Sequence, residues 1–180
     1  SKDFLKDYDR HFTEWMRDIN VSLESYALKF SDVVSLKSAQ NKERALCIAP
    51  YVKGGATGYS REVRLGLGDV SGIDKKNILL SMISPVGKQG VVRFGDEVEI
   101  TFPHVDGGEL RCVLISGEQP SEARVVGLPL EEIDSDADTI FVLDRQGGEI
   151  VSTDFSPIIS GDSFLLRSKK TTQVLVVQHS

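Results

Sequence analysis

Three aspartates at alternate positions, Asp134, Asp136 and Asp138, make up a dense cluster of side chains that could do chemistry. Alternate carboxylates can converge on a hard cation, as they do in calcium loops. The rest of such a loop is missing, because Thr139 stands at the sixth position, where a glycine would turn the chain, and Arg145 stands at the twelfth, where a bidentate Glu would sit. The aspartates therefore read as a solvated acidic turn, and no metal site is expected. His11, His104 and His179 are isolated and no two share metal-ligand spacing. Cys47 and Cys112 each lie in an apolar, strand-like setting (Ala45-Leu46-Cys47-Ile48 and Arg111-Cys112-Val113-Leu114) and read as buried free thiols rather than a disulfide. Neither cysteine has a base beside it in sequence, and no Gly-x-Ser-x-Gly elbow occurs. The glycine-rich run Lys53-Gly54-Gly55-Ala56-Thr57-Gly58-Tyr59-Ser60 offers backbone N–H groups to a phosphate but lacks a Gly-Lys-Ser/Thr ending, so it reads as a hairpin connection. Catalytic residues are thus not expected. An enzyme of unrecognised type stays open as an alternative.

The chain's bulk properties narrow the class further. With 180 residues, 40% of them apolar and 27% charged, it can hold one compact domain with an appendage. A net charge of -6 argues against nucleic-acid binding, since neutralising phosphates requires a basic face. No apolar run reaches the roughly 20 residues of a membrane helix, so no membrane insertion is expected. With sparse cysteines and no signal peptide, the expected location is cytoplasmic.

Two kinds of element must position whatever site exists. From Asp3 to about Leu36 apolar residues recur at Leu5, Tyr8, Phe12, Trp15, Ile19, Leu23, Tyr26, Phe30 and Val33, in steps of three and four. That spacing predicts one long amphipathic helix, or a helical hairpin broken near Asn20-Val21-Ser22, and residues 1–40 read as a coiled-coil oligomerisation segment through which the chain self-associates. Near Ser38 the period changes to two. Short runs rich in β-branched residues follow at Ala45–Ile48, Arg61–Leu65, Ile78–Leu80, Val91–Phe94, Glu97–Phe102, Glu109–Ile115 and Arg124–Leu128, each bounded by Gly, Pro, Asp or Ser. The expected fold is therefore α+β and mainly β, with the helical segment followed by an antiparallel barrel or sandwich over 41–134. Beyond an acidic stretch, residues 135–180 supply further strands, either as a second small sheet or as part of the first.

Within this β region Arg44 stands twenty-five positions before Asp69-Val70-Ser71, and Gly72 follows at once. With the later run Gly95-Asp96-Glu97-Val98, Gly107-Gly108-Glu109-Leu110 and Val126-Gly127-Leu128, this pattern resembles the PilZ family, small β-barrel domains that bind cyclic di-GMP. The resemblance spans roughly Lys42 to Glu132. It implies a ligand site in which Arg44 clamps phosphate while Asp69, Ser71 and Gly72 meet the guanine edge. Ile48 occupies the place of the family's second arginine, and Asp74 that of its final glycine. Family members without the arginines generally do not bind the nucleotide, so the resemblance implies either a cyclic di-GMP-responsive domain or a scaffold that works by binding another protein. An adaptor within a larger oligomeric assembly is the related alternative.

Overall fold

A computed structural model describes residues 27–53, 63–119, 122–145, 155–171 and 174. The described residues form nine strands: β1 (Val33–Val34), β2 (Arg44–Lys53), β3 (Val63–Asp69), β4 (Leu80–Ile83), β5 (Glu97–Phe102), β6 (Leu110–Ile115), β7 (Arg124–Pro129), β8 (Phe141–Arg145) and β9 (Phe164–Ser168). All pairings between them are antiparallel, and the spatial order is β1-β4-β5-β6-β7-β3-β2, with β8 joined to both β5 and β9. Period two governs burial along β5, where Val98, Ile100 and Phe102 are fully enclosed and Glu97 is exposed.

The expected N-terminal helix is overturned where it can be seen. Residues 27–37 are extended on either side of a turn at Phe30-Ser31: Ala27 bridges Ile159, Lys29 bridges Val91, β1 pairs with β4, and Lys37 bridges Ala45. The helical spacing counted Phe30 and Val33 in one stripe. The chain instead sends Leu28 and Phe30, then Val34 and Leu36, toward the core, each pair two residues apart on its side of the turn, and leaves Val33 exposed. Residues 3–26 of the expected helix lie outside the described part. No described helix reaches seven residues, the helical pieces being 3-10 turns such as Lys75–Asn77 and Leu130–Glu132, and the coiled coil is withdrawn with the helix.

The barrel is corrected as well. The strands form an open path that ends at β1 and β2 and not a closed barrel, and β5 divides its length between neighbours. Glu97 and Val98 pair with Val142 and Phe141 of β8, whereas Thr101 and Phe102 pair with Arg111 and Leu110 of β6. The acidic stretch after Leu130 does not open a second core. Phe141, Leu143 and Ile158 belong to the same buried cluster as Val98, Ile100 and Phe102, and the Leu114 N–H donates to the Asp138 carbonyl at 2.9 Å.

Three corners give the fold a pseudo-threefold plan. The Lys29 N–H donates to Asp32 Oδ2 at 2.9 Å, the Arg93 N–H to Asp96 Oδ2 at 2.8 Å and the Ile159 N–H to Asp162 Oδ2 at 3.0 Å. In each case the aspartate's own N–H returns a bond to the carbonyl of the same donor residue. The residue just before each aspartate has positive φ: 73° at Ser31, 89° at Gly95 and 94° at Gly161. Glycine suits that conformation at two corners, and Ser31 carries its cost at the third. The backbones entering the corners close a cycle of hydrogen bonds, Leu28 N–H to Ile158 O, Ile158 N–H to Val92 O and Val92 N–H to Leu28 O, at 2.7, 3.0 and 2.8 Å. The chain thus folds as three units, each made of a corner and the strands that follow it.

Candidate functional site

β2 and β3 form a long antiparallel pair whose register places Arg44 directly opposite Asp69. Just beyond, the Val70 N–H donates to the Glu43 carbonyl at 2.8 Å and the Gly72 N–H to the Asp69 carbonyl at 3.1 Å, which folds the chain into a turn. Within that turn Ser71 Oγ donates to Asp69 Oδ1 at 3.2 Å. The four residues singled out by sequence, Arg44, Asp69, Ser71 and Gly72, are therefore brought to one end of one strand pair. Asp69, Ser71 and Gly72 are exposed, and Arg44 is half-buried.

The turn sits on a small apolar cluster of Ala45, Cys47 and Ile78 packed with Val70 and Ile73. Gly68 makes this close packing possible, since a Cβ there would lie 2.0 Å from Ile73 Cδ1 and 2.6 Å from Cys47 Sγ. Next to the turn, Asp74 accepts the Lys76 N–H at 3.3 Å and so caps the turn Lys75–Asn77. The Lys76 ammonium reaches Asp106 at 2.9 Å and Asp74 at 3.4 Å. The hydrogen bond and charge of Asp106, followed by those of Asp74, hold its pKa above the ordinary lysine value. The site is thus an outward-facing polar corner in which cations and carboxylates alternate. An open groove of about 470 Å³ lies elsewhere, between the first corner (Lys29 to Asp32) and the loop Ser84 to Gly90, and none of the four residues lines it.

A doubly charged cyclic dinucleotide needs two cationic clamps, and the residues here do not fit that requirement. Position 48 lies four residues after Arg44 on β2, and Ile48 is buried there in the main core, 5% exposed, where an arginine would have no water. Arg64 is five positions from Asp69 along β3, about 16 Å at the usual rise per residue. Arg61 lies outside the described residues.

A second polar cluster was not singled out as a unit from the sequence. Asp138 is 8% exposed; its Oδ2 accepts from Ser168 Oγ at 2.6 Å, and its Oδ1 has no hydrogen-bond partner among the described residues. Cys112 lies near enough to feel the same charge. Burial first, and then the Asp138 carboxylate, push its thiol up to about 12. Cys47 is also shifted up by burial, against a smaller lowering by a hydrogen bond from the Gly68 backbone. Both thiols are free, and a raised pKa is the opposite of what a nucleophilic cysteine needs. The Asp138 pair instead ties the end of β9 to the loop before β8. Ser168→Ala would leave the buried carboxylate without this donor and is expected to cost about 2 kcal/mol, in the range for hydrogen bonds to charged groups, as read by urea unfolding. Among the described residues no group of three His, Cys, Asp or Glu side chains could hold a metal ion, so Asp134, Asp136 and Asp138 do not converge.

No family model matches the chain, and no curated protein matches it. Among solved structures it is similar to a Caenorhabditis elegans protein described as having unknown function, with a TM-score of 0.58 and 13% identity over 83% of this chain and 78% of that one. At that identity the likeness is one of fold. No described helix is long and apolar enough to cross a membrane.

Proposed function

We propose that this chain is a non-enzymatic binding module that recognises another protein through the polar corner of Arg44, Asp69, Ser71 and Gly72. One observation carries this reading: the β2–β3 register gathers these residues on an exposed turn and not inside a cavity. An exposed corner of charged and polar groups suits the polar rim of a protein interface, where charge complementarity sets specificity and on-rate. Two buried thiols left unpaired fit a reducing, cytoplasmic setting. The absence of a second cation at position 48 favours a protein partner over cyclic di-GMP.

Two measurements test the reading. A photo-crosslinking residue at position 71, used in cells and followed by mass spectrometry, should yield one defined protein adduct. Arg44→Glu should abolish that adduct, and the same crosslinker at exposed Val86 should not form it. Identical adducts from both positions would refute the corner as the recognition site. Calorimetry with cyclic di-GMP is expected to give no heat at high micromolar nucleotide. Saturable binding that weakens with Arg44→Ala by about 1.5–3 kcal/mol, the usual worth of a charge-assisted hydrogen bond, would replace this reading with nucleotide sensing.

A further inference from the structure

Asp106 is followed by Gly107, the one Asp-Gly pair in the sequence, and no Asn-Gly pair occurs. A backbone nitrogen can attack the side-chain carboxyl of the residue before it, and because both groups sit on one chain the reaction is held back mainly by geometry and access. A glycine at the second position removes the side chain that would shield the nitrogen.

The fold leaves both groups open. Asp106 and Gly107 are the two central residues of a turn that the Gly108 N–H closes on the Val105 carbonyl at 3.4 Å. Gly107 has a φ of 88° while Asp106 is not in the positive-φ region, which is the pattern of a type II turn. The Gly107 N–H has no hydrogen-bond partner among the described residues. The Asp106 side chain is 85% exposed, and a Cβ added at Gly107 or Gly108 would meet no atom within 4 Å. Elsewhere the corner aspartates Asp32, Asp96 and Asp162 are held by backbone N–H groups. Asp106 is held differently. Among the described residues its carboxylate meets the Lys76 ammonium, 2.9 Å from Oδ2.

We propose that Asp106-Gly107 is a modification site, at which aspartate isomerises spontaneously to isoaspartate at a rate restrained by Lys76. The Gly107 nitrogen bonds to Asp106 Cγ, and the carboxyl hydroxyl leaves as water with the amide proton, closing a succinimide ring. Water then adds to one of the two ring carbonyls. If the new Cγ–N bond breaks, aspartate is restored. If the bond from the Asp106 main-chain carbonyl carbon to the Gly107 nitrogen breaks, the chain runs on through Cγ and the former main-chain carbonyl becomes a free carboxylate. One water leaves and one returns, so no other reactant is needed. To react, the carboxyl group must first leave the Lys76 ammonium, take up a proton and turn onto the Gly107 nitrogen. An exposed ion pair shifts such a population only a few-fold, so Lys76 slows the reaction without stopping it. In the product the backbone is one carbon longer and the carboxylate is displaced. Lys76 then keeps only Asp74, 3.4 Å away in the turn beside the Arg44 corner. The site lies outside that corner, and its test does not depend on what the corner binds.

The full chain, aged at physiological temperature and pH, is digested and mapped by tandem mass spectrometry that separates isoaspartate from aspartate at each position. Isoaspartate is expected to accumulate at 106 ahead of Asp134-Ser135, Asp136-Ala137 and Asp162-Ser163, where the following residue is also small. Lys76→Ala should raise the rate at 106 by about twofold to fivefold, the population ratio that an exposed ion pair is worth, and Lys76→Arg should leave it unchanged. Asp106→Glu should remove the product, since the larger ring closes far more slowly. In the isomerised chain, separated and isotope-labelled, the amide signals of Lys75, Lys76 and Asn77 should shift while those of Leu28, Val92 and Ile158 stay in place. The proposal is overturned if isoaspartate at 106 does not exceed that at the other three positions. It is equally overturned if Lys76→Ala ages no faster than wild type, or if the Lys75–Asn77 signals do not move.

Discussion

Ile100→Ala is expected to lower the unfolding free energy by about 4 kcal/mol, within the range for emptying a fully buried Ile site, and the same change at Leu36 or Leu166 by about half as much. The three residues hold matching places in the three units, but Ile100 is fully buried whereas Leu36 and Leu166 are partly buried. Leu36 and Leu166 are only partly buried, so removing methyl groups there leaves a surface dent more than a cavity. Urea unfolding with a common m-value reads the three costs on one scale. Equal losses at all three would show that the units are equally enclosed. A loss this large is a major part of the 5–15 kcal/mol that holds a typical domain together, so Ile100→Ala is expected to be partly unfolded at 37 °C.

The second large effect is alkaline. Cys112 is fully enclosed, and its thiol is pushed from an ordinary 9.0 up to about 12, by burial first and the Asp138 charge second. Below pH 9 the thiol keeps its proton whether the chain is folded or not, so its contribution to stability is complete. Between pH 9 and 12 the unfolded chain sheds the proton while the folded chain keeps it, and each pH unit removes about 1.4 kcal/mol, some 4 kcal/mol in all. The upward shifts of Cys47 and Lys76 act in the same direction. Thermal unfolding from pH 8 to pH 11 should show a steep fall in wild type and a shallower one in Cys112→Ala. Parallel curves would mean that the thiol titrates freely in the folded protein. At neutral pH a thiol reagent should label Cys112 no faster than the chain opens.

Much of the strand layout was legible because burial on one face imposes period two. Glu97–Phe102 and Arg124–Leu128 stand in the sequence nearly as they stand in the structure. The run Ile78–Leu80 was displaced, since Asp74 caps a 3-10 turn through Asn77 and the strand begins only at Leu80. Val91–Phe94 makes single bridges to Lys29 and Pro157 in place of a ladder, because that segment meets two partners at the threefold cycle. The N-terminal misreading has a similar cause. Where the chain is described, the corner at Ser31-Asp32 puts a step of four between the core-facing Phe30 and Val34, a gap that also suits a helix, and Val33, which completed the helical stripe, is exposed.

The corners themselves were visible as Phe30-Ser31-Asp32, Phe94-Gly95-Asp96 and Ser160-Gly161-Asp162, but their spacing is longer than that of the common repeat families, and one corner carries Ser in place of Gly. Convergence of Arg44 with Asp69, Ser71 and Gly72 was also legible, although the link was family pattern and the physical cause is strand register. The Asp138–Ser168 contact was out of reach, because nothing local in sequence brings residues from two distant strands together.

The hydrogen-bond cycle through Leu28, Val92 and Ile158 also sets an order in time. Its first member leaves the ribosome long before its last, so the backbone near Ala27 waits, unpaired on that side, until the segment around Ile159 has been made. Contacts so far apart in the chain pay their loop-closure entropy late, and folds that rely on them are slow. Until the segment around Ile159 has been made, the early strands present an open edge, and an unpaired edge of this kind is where chains associate wrongly.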